Sequence, residues 1–394
     1  MSKRVRTLST CALAMLLAGC ASSQTTVSPL ATAQETAPAA ALQSPPNLSS
    51  QAAPTAAPIK AGASAPGITR YTSDSGQLIP SILAYAHEVA QTRNIPQQRV
   101  IAILEQARHN ATVVRLMTPS GTRIRRSWIT YRNRFVEPIR IKKGLAFWQE
   151  HQSTLDKAFQ TYGVPPSIVT AIIGVETIYG QYMGNFRVLD ALATLGFSNP
   201  DTKRPERSQL FRDQLADLML LDHQNKLDAL HVEGSFAGAM GLPQFMPGSL
   251  LRYAVDGNGD GKIDLINNVD DAIMSVASFL SLHGWIGGLP VFAPVNLPAQ
   301  PAALVKGGLD PSLTWETLVK QGARVKGTAS TQQWQRHGLG VIDLLDEPRK
   351  LEEYRTGTPN FFAITHYNRS YFYATSVADL ASALASQMGY GGPN

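Results

Sequence analysis

The chain has 394 residues, of which 44% are hydrophobic and 16% are charged. This composition excludes a wholly disordered chain, and at about 150 residues per domain the length allows two or three domains. The formal net charge of +6 is too thinly spread to indicate nucleic-acid binding, but it is compatible with an anionic polymer or a membrane surface as a partner. The two cysteines, Cys11 and Cys20, both precede the first aromatic residue, Tyr71. The folded part therefore has no disulfide and no cysteine-ligated metal.

Residues 1–19 have the features of a secretion signal. Basic residues in positions 3–6 precede an apolar stretch that is too short to span a bilayer and that ends at Cys20. The tetrapeptide LAGC at 17–20 resembles the lipobox of bacterial lipoproteins, whose cysteine is acylated and becomes the new N-terminus. More than one acyl chain anchors a protein stably to a membrane. An ordinary signal peptide with an incidental cysteine is the alternative.

The resemblance to a lipobox also implies a location. No Asp follows the cysteine in positions 21–22, which favours the outer membrane over the inner one. We therefore expect a lipidated Cys20 in the inner leaflet of the outer membrane of a Gram-negative bacterium, with the protein on the periplasmic face.

Residues 20–67 are rich in Ala, Pro, Ser, Thr and Gln and contain one acid, Glu35, and one base, Lys60. Without an aromatic side chain to bury, this segment cannot offset the entropy that ordering would cost, so we predict a disordered tether. A coil of this length has an r.m.s. reach of about 40 Å. That is enough to hold a folded body, residues 68–394, away from a membrane.

The body begins at about Ile68, and its first two thirds have the periodicity of helices. Apolar residues recur every three to four positions in the segments 77–92, 96–111, 145–162, 166–179, 208–221 and 270–283. Between about 286 and 350, short apolar pieces broken by Pro and Gly predict a small lobe that contains β-structure. A helical return follows over 360–390. This order favours a mainly helical α+β fold.

Glu176 carries the strongest chemical signal of the body. It lies in a predicted helix that Pro166 and Ser167 open, beside an apolar stripe. The members of the stripe are Ile168, Ile172, Val175 and Tyr179. Apolar surroundings raise the pKa of a carboxyl group, and a carboxylic acid that stays protonated near neutral pH can act as a general acid. Gly174 and Gly180 leave the backbone uncovered on either side, which suits a polymer lying close. The alternative is an ordinary glutamate on the exposed face of an amphipathic helix.

The residues around Glu176 resemble a known family. The segments IIGVETIYG (172–180), VLDALATL (188–195), GSFAGAMGLPQFMP (234–247) and FAITHYNRS (362–370) are similar, in this order, to motifs of the membrane-bound lytic murein transglycosylase B family (glycoside hydrolase family 103). The resemblance extends over roughly residues 75–390. It implies a lysozyme-like helical catalytic core with an EF-hand-like loop and a small β-containing lobe.

The resemblance also implies roles for single residues. Glu176 corresponds to the catalytic acid/base of the family. The substrate-binding positions correspond to Tyr131, Arg207, Ser235, Gln244, Tyr367, Asn368 and Tyr373. Arg207 is the weakest correspondence, because residues 202–208 look locally different. For each of these residues, the alternative is a polar group that is satisfied inside the core.

Residues 256–264 (DGNGDGKID) resemble the first part of an EF-hand calcium loop, with oxygen ligands in positions 1, 3 and 5 and Gly in position 6. Position 12 is Asn267 instead of the usual Glu, and the family resemblance implies a lengthened loop, 256–270, that a later Asp closes. The expected ligands are Asp256, Asn258, Asp260, Lys262 through its backbone carbonyl, and Asp270. We therefore predict structural Ca²⁺ and no organic cofactor. A metal-free turn is the alternative.

Five arginines alternate with aromatic residues in the segment 123–135. They are Arg123, Arg125, Arg126, Arg132 and Arg134. Trp128, Tyr131 and Phe135 have the spacing of one helical face. Behind a lipobox this pattern favours a groove for an anionic glycan, or a solvated helix face, over nucleic-acid binding.

The sequence lacks the motifs of several other reaction classes. The sequence contains no His-Glu-x-x-His zinc helix, no Gly-x-Ser-x-Gly elbow and no phosphate-binding loop. Glycosidases usually need two carboxylates, but the family resemblance implies a reaction with one. Glu176 would protonate the oxygen between MurNAc and GlcNAc of peptidoglycan and then take the proton of the C6 hydroxyl of the same MurNAc. The product is a 1,6-anhydromuramoyl end.

Two other functions remain open at this point. One is a hydrolytic muramidase of the same fold, in which a carboxylate such as Asp190 activates water. The other is a non-catalytic, calcium-dependent wall-binding lipoprotein. The expected partners are peptidoglycan strands, the outer membrane and cell-wall synthesis enzymes, and not nucleic acid.

Overall fold

The structure of the chain is a computed structural model, and it describes residue 58 and residues 67–327 and 333–391. The predicted signal peptide, the predicted lipidation site Cys20 and almost all of the predicted tether lie outside the described residues. Within the described ranges, no helix combines the length and the apolar character that crossing a membrane requires.

Fourteen α-helices account for almost half of the described residues. They are α1 (Pro80–Arg93), α2 (Gln97–Glu105), α3 (Ala111–Met117), α4 (Trp128–Arg132), α5 (Pro138–Glu150), α6 (Gln152–Tyr162), α7 (Pro166–Thr177), α8 (Val188–Phe197), α9 (Glu206–His223), α10 (Pro247–Tyr253), α11 (Val269–Leu282), α12 (Trp315–Lys320), α13 (Pro359–Tyr367) and α14 (Tyr371–Gln387). The predicted mainly helical α+β class is confirmed.

Two of the predicted helices are interrupted. The segment 96–111 is not one helix: α2 ends at Glu105, and Asn110 starts α3 by accepting hydrogen bonds from the backbone N–H groups of Thr112 (3.0 Å) and Val113 (3.2 Å). The segment 145–162 is divided at His151, which lies between α5 and α6. Apolar periodicity continues across both breaks because the flanking helices face the same core, so periodicity alone could not locate them.

Helix α7 lies at the centre of the main core, where it packs against α5, α6, α11 and α14. Every residue from Ser167 to Thr177 is buried. A helix that is apolar all round is surrounded by protein on all sides. Pro165 is the N-cap residue, and the buried Ser167 hydroxyl in the first turn has no hydrogen-bond partner in the described structure.

The C-terminal end of α7 is a sharp reversal of the chain. Ile178 (φ 52°) and Tyr179 (φ 59°) both adopt the left-handed conformation, so the helix ends at Thr177. The reversal folds the Tyr179 ring back onto the helix, where a Cβ atom on Gly174 would lie 2.4 Å from the Tyr179 hydroxyl. The backbone at Gly174 is therefore covered by a side chain of the same protein. The expectation that it lies open to a polymer is wrong.

Six short strands of the described residues form three antiparallel pairs. The pairs are β1 (Phe186–Arg187) with β2 (Glu233–Gly234), β3 (Val295–Asn296) with β4 (Arg324–Val325), and β5 (Gly340–Asp346) with β6 (Leu351–Gly357). In the third pair Gly340 faces Gly357 and Asp346 faces Leu351. The first pair connects the end of α7 with the segment that follows α9, so it brings two distant parts of the chain together.

A second, smaller core lies in the stretch between α11 and α13. Its buried members are Leu289, Ala293, Leu304, Leu313, Leu318, Ala323, Trp334, Leu339 and Val341. The lobe around it contains α12 and the strands β3 to β6. Strand β6 lies wholly beyond the lobe boundary expected at about 350, because the hairpin needs both of its strands to pair.

Candidate active site

The Glu176 carboxyl group lies in the last turn of α7 and is largely buried, with 8% of the residue exposed. The Tyr373 hydroxyl, in the first turn of α14, donates a hydrogen bond of 2.6 Å to Glu176 Oε1. Burial raises the pKa of Glu176 to about 7, and the hydrogen bond from Tyr373 opposes that rise. The carboxyl group can therefore hold or release a proton near neutral pH. A glutamate on an exposed amphipathic face is contradicted.

Tyr367 lies beside this pair. Its ring is nearly parallel to that of Tyr373, at 13° with 6.4 Å between the ring centroids, and its hydroxyl donates a hydrogen bond of 2.6 Å to the Pro243 carbonyl. Burial, and then the charge of Glu176, raise the pKa of both phenols well above the ordinary value. Both tyrosines therefore remain hydrogen-bond donors. Asn368 follows directly as the C-cap residue of α13.

Tyr131 belongs to the same group of aromatic side chains. Its ring contacts those of Phe135 and Phe372, with centroids 5.1 Å and 5.5 Å away. Phe372 directly precedes Tyr373, so the Tyr131 ring lies beside the first turn of α14. The structure thus brings together four residues that are distant in the sequence: Tyr131, Glu176, Tyr367 and Tyr373.

Ser235 and Gln244 lie at the two ends of a compact loop. The buried Ser235 hydroxyl accepts a hydrogen bond of 3.0 Å from the Ala239 N–H group. Gln244, in the left-handed conformation, donates from Nε2 to the carbonyl groups of Gly241 (2.9 Å) and Met183 (3.2 Å). Because the Ser235 hydroxyl only accepts in its described bonds, its hydrogen remains free to bind a ligand.

Thr177 connects this loop to α7, and it is a residue that the sequence analysis did not select. Its hydroxyl donates a hydrogen bond of 3.0 Å to the Leu242 carbonyl and accepts one of 3.0 Å from the Gly180 N–H group. Thr177 and Tyr367 therefore bind neighbouring carbonyl groups of one loop. Its position directly after Glu176 was the signal that could have identified it.

The predicted calcium loop has the donor chemistry of a site for a hard cation. Asp260, Lys262 and Asp270 are among the residues that line an open surface pocket of about 390 Å³. The Asp256 carboxylate accepts the N–H groups of Gly259 (2.6 Å) and Gly261 (2.8 Å), and both glycines have positive φ angles. The tight turn that an EF-hand loop needs is thus present, and the donors are oxygen atoms throughout.

Other contacts of the loop tie it to the helices around it. Asp270 Oδ1 accepts a hydrogen bond of 2.6 Å from the Thr154 hydroxyl, and Lys157 donates one of 2.8 Å to the Gly257 carbonyl. In the part of the chain that the structure describes, no three His, Cys, Asp or Glu side chains converge closely enough to hold a metal ion by themselves. The oxygen-bearing residue types fit Ca²⁺. The Asp256 and Asp260 carboxylates accept hydrogen bonds from backbone N–H groups of the loop.

Comparison with known proteins places this arrangement in a family. The family description "Transglycosylase SLT domain" matches residues 80–382, which include Glu176 and every aromatic residue around it. The chain belongs to this transglycosylase family. Its sequence is 37% identical over 316 residues to the membrane-bound lytic murein transglycosylase B of Escherichia coli, covering 78% of this chain and 83% of that protein.

Solved structures agree with the family assignment. The soluble lytic transglycosylase SltB1 from Pseudomonas aeruginosa matches with a TM-score of 0.70 and 35% identity, over 79% of this chain and 100% of that one. The Escherichia coli lytic transglycosylase Slt35 in complex with calcium matches with a TM-score of 0.67 and 34% identity, over 81% of this chain and 97% of that one. The predicted family, enzyme class and helical core are confirmed: the protein is a lytic transglycosylase of peptidoglycan.

Arg207 of the transglycosylase, another expected substrate contact, lies in the first turn of α9. Its Nη1 atom lies 3.3 Å from Asp201 Oδ2, which also pairs with Arg204 at 2.7 Å. The described contacts of Arg207 therefore tie it to its own loop, at the start of α9.

Asp190 of the transglycosylase, the water-activating base of the hydrolytic alternative, is occupied by other groups. Both of its oxygens pair with Arg187, at 2.6 Å and 2.9 Å, and Oδ1 accepts the Arg108 N–H group at 2.7 Å. Hydrogen bonds within the protein therefore occupy both oxygens of this carboxylate.

Three arginines of the arginine-rich segment of the transglycosylase form ion pairs. Arg123 and Arg126 lie 3.1 Å and 3.2 Å from Glu347, and Arg132 lies 2.5 Å from Asp379. These ion pairs connect the segment to the β5–β6 turn, which contains Glu347, and to α14, which contains Asp379. The expected single helical face is wrong, because α4 ends at Arg132, before Phe135.

Proposed function

We propose that Glu176 is the single acid/base with which this transglycosylase cleaves the MurNAc-β-1,4-GlcNAc bond of peptidoglycan. The observation that supports the proposal is a buried carboxyl group with a pKa of about 7, bound by one phenol and surrounded by aromatic rings. An acid with this pKa can donate a proton at neutral pH and accept one afterwards.

In the proposed first step, protonated Glu176 donates its proton to the glycosidic oxygen. The bond between MurNAc C1 and GlcNAc O4 breaks, and its electron pair stays on O4. The positive charge that develops at C1 is stabilised by the acetamido oxygen of the same MurNAc. The Tyr373 hydroxyl supports the ionised Glu176 that this step leaves behind, because its hydrogen bond favours the carboxylate.

In the proposed second step, ionised Glu176 accepts the proton of the MurNAc C6 hydroxyl, and O6 forms a bond to C1. The product is a 1,6-anhydromuramoyl end, no water is consumed, and Glu176 is protonated again. The bonds that hold Asp190 support this route over hydrolysis, since a second carboxylate would have to activate water.

We propose that the sugar chain contacts the polar and aromatic groups around Glu176. These groups are Tyr131, Arg207, Ser235, Gln244, Tyr367, Asn368 and Tyr373. The Ser235 hydroxyl hydrogen and the Gln244 carboxamide can bind sugar hydroxyls, and the aromatic side chains offer flat apolar faces.

The lengthened loop is the proposed site of a structural Ca²⁺ ion. Asp256, Asn258, Asp260, the Lys262 carbonyl and Asp270 would hold it. Bound there, Ca²⁺ would neutralise the carboxylates of the loop and connect it to α11. The ion takes no part in the proposed steps.

The remaining proposals concern location. We propose that residues 1–19 are removed, that lipidated Cys20 anchors the protein in the inner leaflet of the outer membrane, and that residues 20–67 are the tether of the catalytic body 68–394. Cell-wall synthesis enzymes are the proposed protein partners on the periplasmic side.

Mass spectrometry of isolated sacculi digested with a protein that starts at Ala65 tests the proposed reaction. We expect muropeptides with anhydro ends, which are lighter by one water than hydrolytic ends, and we expect none from Glu176→Gln. Hydrolytic ends would establish a muramidase. A wild-type digest without soluble fragments would establish a wall-binding protein instead.

A further inference from the structure

The Tyr182 side chain is 58% exposed, although it lies only six positions after Glu176. Tyr179, in the same turn, points the other way: its ring packs on Phe147 with 5.3 Å between centroids. One tyrosine of the turn thus completes the core, and the other offers its ring to solvent.

The backbone on both sides of Tyr182 is held by the parts that form the site. Its N–H group donates a hydrogen bond of 3.0 Å to the Thr177 carbonyl, and the next carbonyl, of Met183, accepts from Gln244 Nε2 at 3.2 Å. Gly184 lies so close to the following segment that a Cβ atom there would be 2.1 Å from the Gly234 carbonyl oxygen. Tyr182 therefore stands on a fixed rim between the Glu176 helix and the loop of Ser235 and Gln244.

The apolar face of a pyranose ring, with its axial C–H groups, matches a flat aromatic ring in size and polarity. Tyrosine also loses little conformational entropy when it binds, because only two side-chain angles must be fixed. A single exposed aromatic residue is common on protein surfaces, but this one is anchored on both sides to the residues that surround the catalytic carboxyl group.

We propose that Tyr182 is a sugar-stacking residue that receives one pyranose ring of the glycan strand beside the bond to be cleaved. The proposal rests on the proposed role of Glu176 and adds a substrate contact to it. The Tyr182 ring face carries the interaction, and its hydroxyl does not.

The test measures binding in the Glu176→Gln background, which we expect to hold the glycan without cutting it. The probe is a soluble tetrasaccharide of alternating GlcNAc and MurNAc, titrated by calorimetry. We expect Tyr182→Ala and Tyr182→Leu to weaken binding about tenfold, the effect of truncating an aromatic anchor. Tyr182→Phe and Tyr182→Trp keep a flat face and should bind as tightly as the parent.

Tyr390→Ala is the matched control, because Tyr390 is 55% exposed and stacks on Trp148. It should leave the affinity unchanged. Parental affinity in Tyr182→Ala would overturn the proposal, as would a Leu variant that binds like Phe, or a Phe variant that binds as weakly as Ala. These titrations measure binding without turnover, so they test Tyr182 independently of the reaction. A wild-type digest that yields no anhydro ends would overturn the role of Glu176 and not that of Tyr182.

Discussion

The Tyr373 hydroxyl donates a hydrogen bond of 2.6 Å to Glu176 Oε1 and so joins the last turn of α7 to the first turn of α14. Two opposing effects act on the pKa of Glu176. Burial favours the neutral carboxyl group, whereas the hydrogen bond favours the carboxylate, and the resulting pKa is about 7. A group in this balance has the pKa that the proposed acid and base steps require.

Replacing the proposed acid should abolish turnover and keep binding. We expect Glu176→Gln to lower the rate of anhydro-end formation on sacculi by at least about 100-fold, because general acid–base help is worth roughly 10²–10⁴-fold. Co-sedimentation with sacculi should be unchanged. Glu150→Gln, at the exposed end of α5, is the matched control. If Glu176→Gln kept a tenth of the rate, the acid would have to be another carboxyl group.

The same residue should make stability depend on pH. The pKa of Glu176 is about 7 in the folded protein, against an ordinary value of 4.5. Below the lower value the carboxyl group is protonated in both states. Between the two pKa values the carboxyl group ionises in the unfolded chain but stays protonated in the folded protein. The free energy of unfolding therefore falls as the pH rises, by roughly 3 kcal/mol once the pH exceeds the folded-state pKa.

Urea unfolding of wild type and Glu176→Gln checks this pH dependence. Relative to the variant, the wild type should lose stability between about pH 4 and about pH 8 and no more at higher pH. A difference between the two proteins that is constant over this range would show that the carboxyl group is not desolvated in the folded state.

Removing the Tyr373 hydroxyl should change the pH profile of the reaction. In Tyr373→Phe the carboxylate loses its hydrogen bond, so the pKa of Glu176 should rise and the alkaline limb of the rate profile should move up by about one pH unit. The maximal rate should fall, because the ionised intermediate state loses support. Tyr354→Phe, in the β5–β6 hairpin, is the control. An alkaline limb at its wild-type position would contradict a proton donor regulated by Tyr373.

Calcium should stabilise the folded protein through the lengthened loop. A cation that binds only the folded state raises the free energy of unfolding by about 2.7 kcal/mol at a concentration about 100 times its Kd. The rise in Tm should vanish in Asp260→Asn and persist in Asp310→Asn, which changes an exposed aspartate of the lobe. Identical melting curves of the wild type in calcium and in EDTA would identify the loop as a metal-free turn.

Adding a methyl group at Gly174 should destabilise the helix that carries Glu176, because the Tyr179 side chain already occupies that position. A mid-helix Gly→Ala change normally stabilises a helix, but here the added Cβ would lie 2.4 Å from the buried Tyr179 hydroxyl. We expect Gly174→Ala to cost about 1–3 kcal/mol in urea unfolding, the usual penalty for overpacking, and to reduce activity. Gly121→Ala, where a Cβ would meet no atom within 4 Å, is the control. Equal stability of the two variants would mean that the Tyr179 ring moves aside freely.

The helical class and most helix positions could be predicted because apolar periodicity is a local property of the chain. The breaks at Asn110 and at His151 could not, since the same core lies on both sides of each break. The motif around Glu176 identified the carboxyl group, but a motif does not show which residues from distant parts of the chain contact it. Thr177 was missed for this reason, because its partner, the Leu242 carbonyl, is 65 residues away.

The sequence by itself determined the mainly helical class, the family and the choice of Glu176, since each depends on residue types in local order. The tertiary structure decided the surroundings of that glutamate: Tyr373 is 197 residues distant in the chain and reaches Oε1 only because α14 packs on α7. It also decided that Arg123 and Arg126 pair with Glu347, and Arg132 with Asp379. A pKa and an ion pair depend on distances through space, and packing alone sets those distances.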